Sequence, residues 1–246
     1  MIVRHPGDCS LWGVRKNIQM WTAAVSMQHL SKQFRVIAMD SRGHGRSGKP
    51  LDQVSYGMSM VADVVRLLDR LEVKKAHFIG FSMGAETALK LGIRHPDRVL
   101  SMVLAGSGWS GKDDYELYRL VADSLGKSAS FGPLLREMTP IGEAGPTDAE
   151  ISAADEMLRG QDIEALVAAA RGMDDIINVS RDELSGIRFP VLGIAGENDP
   201  ERGNLEKMRG VVPGFTMKVL EGRGHIDLVT DPRFNSLVTE FLSVRR

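Results

Sequence analysis

The chain has 246 residues, with 31 Lys+Arg against 32 Asp+Glu for a formal net charge of −1. That balance argues against a nucleic-acid binder, which carries a basic excess or stripe, and 43% hydrophobic with 26% charged residues is a globular rather than a disordered composition. The single cysteine, Cys9, gives no support to a disulfide framework or to a zinc site built on paired cysteines, and the length suits one large domain or one domain carrying an insertion.

The first ten residues, MIVRHPGDCS, show no basic stretch followed by an apolar run, so no secretory signal is visible. No window approaches the roughly 18 consecutive apolar residues of a membrane helix. The expectation is a soluble cytoplasmic protein with neither a membrane nor a nucleic acid as partner.

Short apolar runs then alternate with amphipathic stretches, which predicts an α/β protein with a mostly parallel sheet flanked by helices. Phe34 to Met39 reads as a buried strand ending at Asp40, followed by the turn-rich Arg42 to Pro50. A helix follows over about 57 to 71, with Met58, Val61, Val64, Val65 and Leu68 on one face and Ser55 as its cap. Ala76 to Gly80 is the next strand, Ala85 to Arg94 a helix stopped before Pro96, and Val99 to Ala105 a third strand. After Gly106 the rhythm changes. Residues 107–186 contain helical pieces, such as Tyr115 to Leu125 and Ile163 to Arg171, and no convincing strand. The alternation resumes with a strand at Pro190 to Ala195, a helix near 201 to 209, a strand at Thr216 to Leu220 and a last helix over Arg233 to Leu242. We therefore divide the chain into a first part of the core, 1–106, a helical cap or lid, 107–186, and a second part of the core, 187–246. An insertion there covers the sheet's C-terminal edge, where such sheets bind ligands.

Gly80-Phe81-Ser82-Met83-Gly84, between a strand and a helix, has the context of a nucleophile elbow. The turn is tight enough that the residues two before and two after the serine must be small. It lifts the Ser82 hydroxyl above the sheet and aims the helix N-terminus at negative charge developing there. The Met83 N–H is then one oxyanion donor.

A serine alcohol needs a base, and the base an orienting acid. On this kind of sheet they follow in the order Ser, Asp or Glu, His. Asp199, in GENDP, leaves the end of a predicted strand, and His225, in EGRGH, lies on a glycine-flanked loop after the last one. Each residue alone is weak; three strand-end positions in the right order are not. The other histidines are His5, His29, His44, His77 and His95, of which His77 and His95 read as structural, and the rival acids are Glu197 and Asp227. No His or carboxylate pair has a metal-ligand spacing such as H-E-x-x-H, so no metal is expected. Gly43 to Gly48 matches the dinucleotide pattern G-x-G-x-x-G, but Lys49-Pro50-Leu51-Asp52 separates it from the next helix, which the fingerprint does not allow.

Taken together these residues resemble the α/β-hydrolase superfamily, in its esterase, lipase and lactonase branch. The resemblance runs from about Trp21 to Phe241 and includes DSRGHGRS at 40–47, similar to the family's turn after its fourth strand, and HPDRV at 95–99, similar to the segment entering its sixth. It implies Ser82 as nucleophile, Asp199 as acid and His225 as base. A serine rather than an aspartate at the elbow points away from the dehalogenase and epoxide-hydrolase branches, and hydrolysis needs no cofactor. The front of the chain departs from the pattern. Members begin with a hairpin and a third strand ending in His-Gly and a further residue, whose N–H is the second oxyanion donor. Here the fourth strand is reached by Phe34, so the first strands of the fold are missing. His5-Pro-Gly7 reads as a remnant of the His-Gly motif; Pro6 has no N–H to give, which leaves Gly7 as the weaker oxyanion candidate.

The sequence thus predicts an enzyme, a serine hydrolase of small-molecule carboxylic esters or lactones acting through an acyl-enzyme. The alternative is a catalytically weak or non-catalytic ligand-binding member of the same fold. Trp109, Tyr115, Tyr118, Phe131 and Met138 are candidates for an acyl pocket or for packing of the cap helices.

Overall fold

The computed structural model of the protein describes residues 2–5, 8–11 and 26–244. Four strands carry the site: β4 (Ala76–Phe81), β5 (Val99–Ala105), β6 (Val191–Gly196) and β7 (Phe215–Leu220) lie side by side, all parallel. β4 and β6 are buried at every position. A strand covered by helices on both faces has no solvent side, so its sequence reads as a continuous apolar run.

Ahead of these strands, the described residues do not form the full set of first strands of the fold. The described residues before β3 (Arg35–Ile37) form only two four-residue strands, β1 (Ile2–His5) and β2 (Asp8–Leu11), paired antiparallel. β1 enters the sheet antiparallel to both β3 and β4, giving the order β2-β1-β4-β5-β6-β7 with β3 beside β1. Gly7 lies outside the described residues.

A short helix α1 (Ser26–Ser31) precedes β3. The turn after β3 closes on itself: the Gly43 N–H donates to the Gly48 carbonyl at 2.8 Å, and the Asp40 carboxylate accepts from the Arg46 N–H at 3.0 Å. A side chain on Gly45, at φ +51°, would overlap that carboxylate. The interior of the G-x-G-x-x-G turn is therefore filled by Asp40, and the N–H groups of Gly43, His44, Arg46 and Ser47 bond within residues 40–48. Helix α2 (Met58–Arg70) buries Met60, Val61, Val64 and Leu68 against the core; of the expected face, Val61, Val64 and Leu68 are buried, while Met58 and Val65 are only partly so. Its expected cap is corrected: Ser55 ends a separate single turn, Gln53–Ser55, which Asp52 caps, while α2 starts after Gly57 at φ +55° with no side-chain cap. The left-handed glycine redirects the chain, which leaves Ser55 a turn too early.

Helix α3 (Met83–Arg94) connects β4 to β5 and is buried from Gly84 through Gly92. Between β5 and β6 come six helices: α4 (Lys112–Ser128), α5 (Gly132–Glu137), α6 (Asp148–Glu156), α7 (Ile163–Arg171), α8 (Asp174–Ile177) and α9 (Arg181–Ser185). No strand occurs among the described residues of this stretch. Leu125, Phe131, Leu158 and Leu166 form a small core of its own there, apart from the main one. Helix α10 (Arg202–Glu206) connects β6 to β7, and α11 (Pro232–Ser243) closes the chain. Among the described residues no helix is long and apolar enough to cross a membrane.

Candidate active site

Ser82 is the single residue between β4 and α3, held at φ 54° and ψ −130°. This is a conformation that a non-glycine residue adopts only where its surroundings impose it. Two features impose it here. The Ser82 N–H donates to the Ala105 carbonyl on β5 at 2.9 Å, and a Cβ on Gly80 would overlap the Gly84 carbonyl oxygen where α3 folds back over β4. Met83 is the first residue of α3. Its N–H has no carbonyl one turn earlier within the helix to bond, and the aligned peptide dipoles make that end of the helix favour negative charge.

Asp199 and His225 sit on loops at the same sheet edge, and these loops are stitched to each other. The Glu197 N–H donates to the Leu220 carbonyl at 3.0 Å and the Asn198 N–H to the Arg223 carbonyl at 2.9 Å. A Cβ on Gly196 would overlap Arg223, so the approach of the two loops requires glycine. The histidine loop is braced further by Asp227, which accepts from the Gly224 N–H at 2.9 Å and pairs with Arg223 at 3.1 Å. Arg223 also pairs with Asp231 at 2.6 Å, and these two carboxylates hold its guanidinium above the ordinary arginine range.

The structure brings Ser82, Asp199 and His225 together. His225 Nε2 lies 3.0 Å from Ser82 Oγ, and its Nδ1 lies 3.0 and 3.2 Å from the two oxygens of Asp199. Both His225 and Asp199 are wholly buried. A residue separation of 143 between histidine and serine is closed to one hydrogen bond. The ring of Phe81 packs against His225 with centroids 5.0 Å apart, and Gly106, at φ +66°, leaves room beneath both rings. Of the rival acids, Asp227 serves the loop as described and Glu197 accepts from the Gly222 N–H at 2.9 Å. His77 bonds Ser101 across β4 and β5 at 2.7 Å, and His95 caps α3, so both serve the fold. Among the described residues no group of three His, Cys, Asp or Glu is arranged to hold a metal ion.

Trp109 and Tyr115 line a cavity of about 320 Å³ with Ser110, Ile177, Val179 and Lys207. None of the three triad residues lines it. Tyr118 donates to Glu86 instead, Phe131 belongs to the small core, and Met138 is buried. Sequence reasoning missed Glu86, Ser107 and Glu201, which form a second polar cluster near Ser82, His225 and Asp199, with Glu86 and Ser107 buried and Glu201 partly so. One signal was available for Glu86: it interrupts the run of small and apolar residues, GAETALKLG, of a helix with no exposed face.

The profile of the alpha/beta hydrolase fold family matches residues 13–232. The 3-oxoadipate enol-lactonase 2 of Acinetobacter baylyi is 27% identical over 239 residues, which are 90% of this chain and 83% of that protein. A hydrolase from Pseudomonas aeruginosa PA01 superposes with a TM-score of 0.78 at 25% identity, over 98% of this chain and 92% of that one. Est816, an N-acyl homoserine lactone degrading enzyme, superposes with a TM-score of 0.74 at 25% identity, over 98% of this chain and all of its own. With the family match extending over most of its length, the chain belongs to the α/β hydrolase fold family.

Proposed function

We propose that the protein is a serine hydrolase that cleaves small carboxylic esters or lactones through an acyl-enzyme. The observation that carries this reading is the line of contacts from Ser82 Oγ through the buried His225 ring to Asp199. Ser82 Oγ attacks the carbonyl carbon while His225 Nε2 takes its proton, and the Met83 N–H donates to the oxygen that becomes negative. Asp199 holds the proton on Nδ1, so Nε2 presents a lone pair to the serine. His225 then returns its proton to the leaving alkoxide; in a lactone the leaving group stays tethered to the acyl chain. Water attacks the ester of Ser82 with His225 again as base, and the acid departs as the serine is reprotonated.

The two relatives named for lactones support substrates of that class. The helical stretch 107–186 is proposed as a cap over the site, carried between core parts 1–106 and 187–246, with Trp109 and Tyr115 at the cavity nearest its first helix. The test is labelling by a fluorophosphonate beside turnover of p-nitrophenyl esters and simple lactones. Labelling that vanishes in Ser82→Ala, and turnover reduced by about 10³ to 10⁴ in Asp199→Asn, is the expected result. Folded protein that takes no label and turns over no ester or lactone overturns the proposal in favour of a ligand-binding member of the fold.

A further inference from the structure

The proposed reaction leaves unused a polar cluster joined to Asp199, buried at Glu86, Ser107 and Ser110 and partly buried at Glu201. Glu86 lies one turn after Ser82 on α3 and is only 4% exposed. Its Oε1 accepts from the Ser110 hydroxyl at 2.5 Å and from the Ser107 hydroxyl at 3.2 Å, and its Oε2 accepts from Tyr118. Burying a carboxylate is costly unless donors replace its water; Ser110 and Tyr118 donate here, and the single Ser107 proton goes either to this carboxylate or to Glu201. Ser107 Oγ is also 3.4 Å from Oε2 of Glu201, which accepts from Asn204 Nδ2 at 2.8 Å. The backbone N–H of the same Glu201 donates to Asp199 Oδ1 at 2.9 Å. Ser107 in turn follows Gly106, the residue beneath the His225 ring.

These contacts close a circuit. It runs from Ser82 along the first turn of α3 to Glu86, across Ser107 to Glu201, through a peptide N–H to Asp199, and by His225 back to Ser82. A carboxylate on a loop has freedom to turn about its own bonds, and a histidine bonded to one of its oxygens does not remove that freedom. A second donor on that oxygen does, provided the donor is itself held. Glu201 is held by Asn204 on α10, and the Ser107 hydroxyl from the end of β5 lies 3.4 Å from the same carboxylate oxygen. Ser107 has one proton to give and two carboxyl groups within reach, so it bonds one of them at a time and stands between α3 and the acid loop.

We propose that Glu86, Ser107 and Glu201 form a positioning bridge, which fixes the Asp199 carboxylate against the helix that carries Ser82. The proposal rests on the triad reading. None of the three touches the reacting atoms; they act through Asp199. Without the bridge the fold persists, but Asp199 samples orientations in which it supports the imidazolium less. Turnover then falls and substrate binding does not.

The experiment measures p-nitrophenyl acetate hydrolysis between pH 5 and 9 for the wild type, Ser107→Ala, Glu201→Ala, their double variant and Glu201→Gln. The bridge predicts that each single alanine variant lowers kcat by about tenfold with KM nearly unchanged. The double variant should be little worse than either single, since both cut one path, and Glu201→Gln, which keeps an oxygen acceptor, should recover most of kcat. Leu166→Ala, in the separate small core, controls for lost stability and should keep the wild-type kcat. A wild type that takes no fluorophosphonate label overturns the triad reading and the bridge with it. A labelled, active wild type whose alanine variants keep its kcat, or lose no more of it than Leu166→Ala, overturns the bridge alone.

Discussion

Gly106→Ala tests whether the space beneath His225 is part of the site. Two costs follow from the geometry. Gly106 sits at φ +66°, and an alanine forced into that left-handed region loses about 1 to 2 kcal/mol. For a chain of this size each kcal/mol lowers the melting temperature by about 2 to 4 °C, so thermal melts should show a drop of about 2 to 8 °C. The second cost falls on the rings. The new Cβ would lie 2.8 Å from Phe81 Cε2 and 3.0 Å from His225 Cε1, whereas carbon atoms rest about 3.5 to 4.0 Å apart. Phe81 cannot yield to one side because it is wholly buried and already packed on His225. His225 must therefore shift by about 0.5 Å, which carries its 3.0 Å contact with Ser82 toward the limit of a hydrogen bond. Turnover should fall by about ten- to a hundredfold, with fluorophosphonate inactivation slowed in proportion. Gly145→Ala, where nothing stands within 4 Å of the added carbon, is the neutral control. A Gly106→Ala variant that is destabilised as expected yet hydrolyses esters at the wild-type rate would refute the argument that His225 has no room to move.

Two further outcomes are expected. Gly80→Ala should yield no folded protein by circular dichroism, because its Cβ meets backbone of α3 and not a side chain that can turn away; a folded, active variant would show that the elbow can open. Asp231, buried at the start of α11, accepts from Arg233 at 2.7 Å and Arg223 at 2.6 Å, and Arg233 above all holds its carboxyl well below the usual carboxylate range. A folded-state pKa below the unfolded one stabilises the fold above about pH 4 and ceases to do so as the pH falls through the folded value. Melting temperatures of wild type and Asp231→Asn should therefore differ at pH 7 and converge on acidification; a difference that stays constant down to pH 2 contradicts this linkage.

Much of the fold was legible because burial leaves a local mark. β5 over Val99–Ala105 and α7 over Ile163–Arg171 match their apolar patterns end to end. Ser82, Asp199 and His225 were legible for another reason, since each follows a strand of this kind and glycines flank the points where the chain must turn. What stayed hidden is set by contacts between segments. The Phe34–Met39 run promised a longer strand than Arg35–Ile37, because its partner β1 offers a single paired residue, Arg4 opposite Arg35. The cap of α2 was misread because Gly57, not a hydroxyl, ends the preceding turn. Glu86, Ser107 and Glu201 carry no motif at all; the residues are 21 and 94 positions apart, and only the sheet joins them.

Strand register explains how one sheet edge gathers residues so distant in the chain. Phe81 on β4 stands opposite Ala105 on β5, Ala105 opposite Ile194 on β6, and Gly196 on β6 opposite Leu220 on β7. Residues just past those positions therefore leave the sheet at nearly one level: Ser82 and Gly106 directly, Asp199 three residues beyond Gly196, His225 five beyond Leu220. The six helices between β5 and β6 leave and rejoin the sheet without disturbing that level, since the Gly106 N–H still donates to the Ile194 carbonyl at 3.0 Å. A slip of one residue in β4 would turn every side chain of that strand to the opposite face and point Ser82 away from His225. The buried apolar rows of β4, β5 and β6 oppose such a slip, because each neighbouring strand and helix would lose its packing at once. The same packing that makes these strands readable in the sequence thereby holds the serine, the histidine and the aspartate within hydrogen-bonding distance.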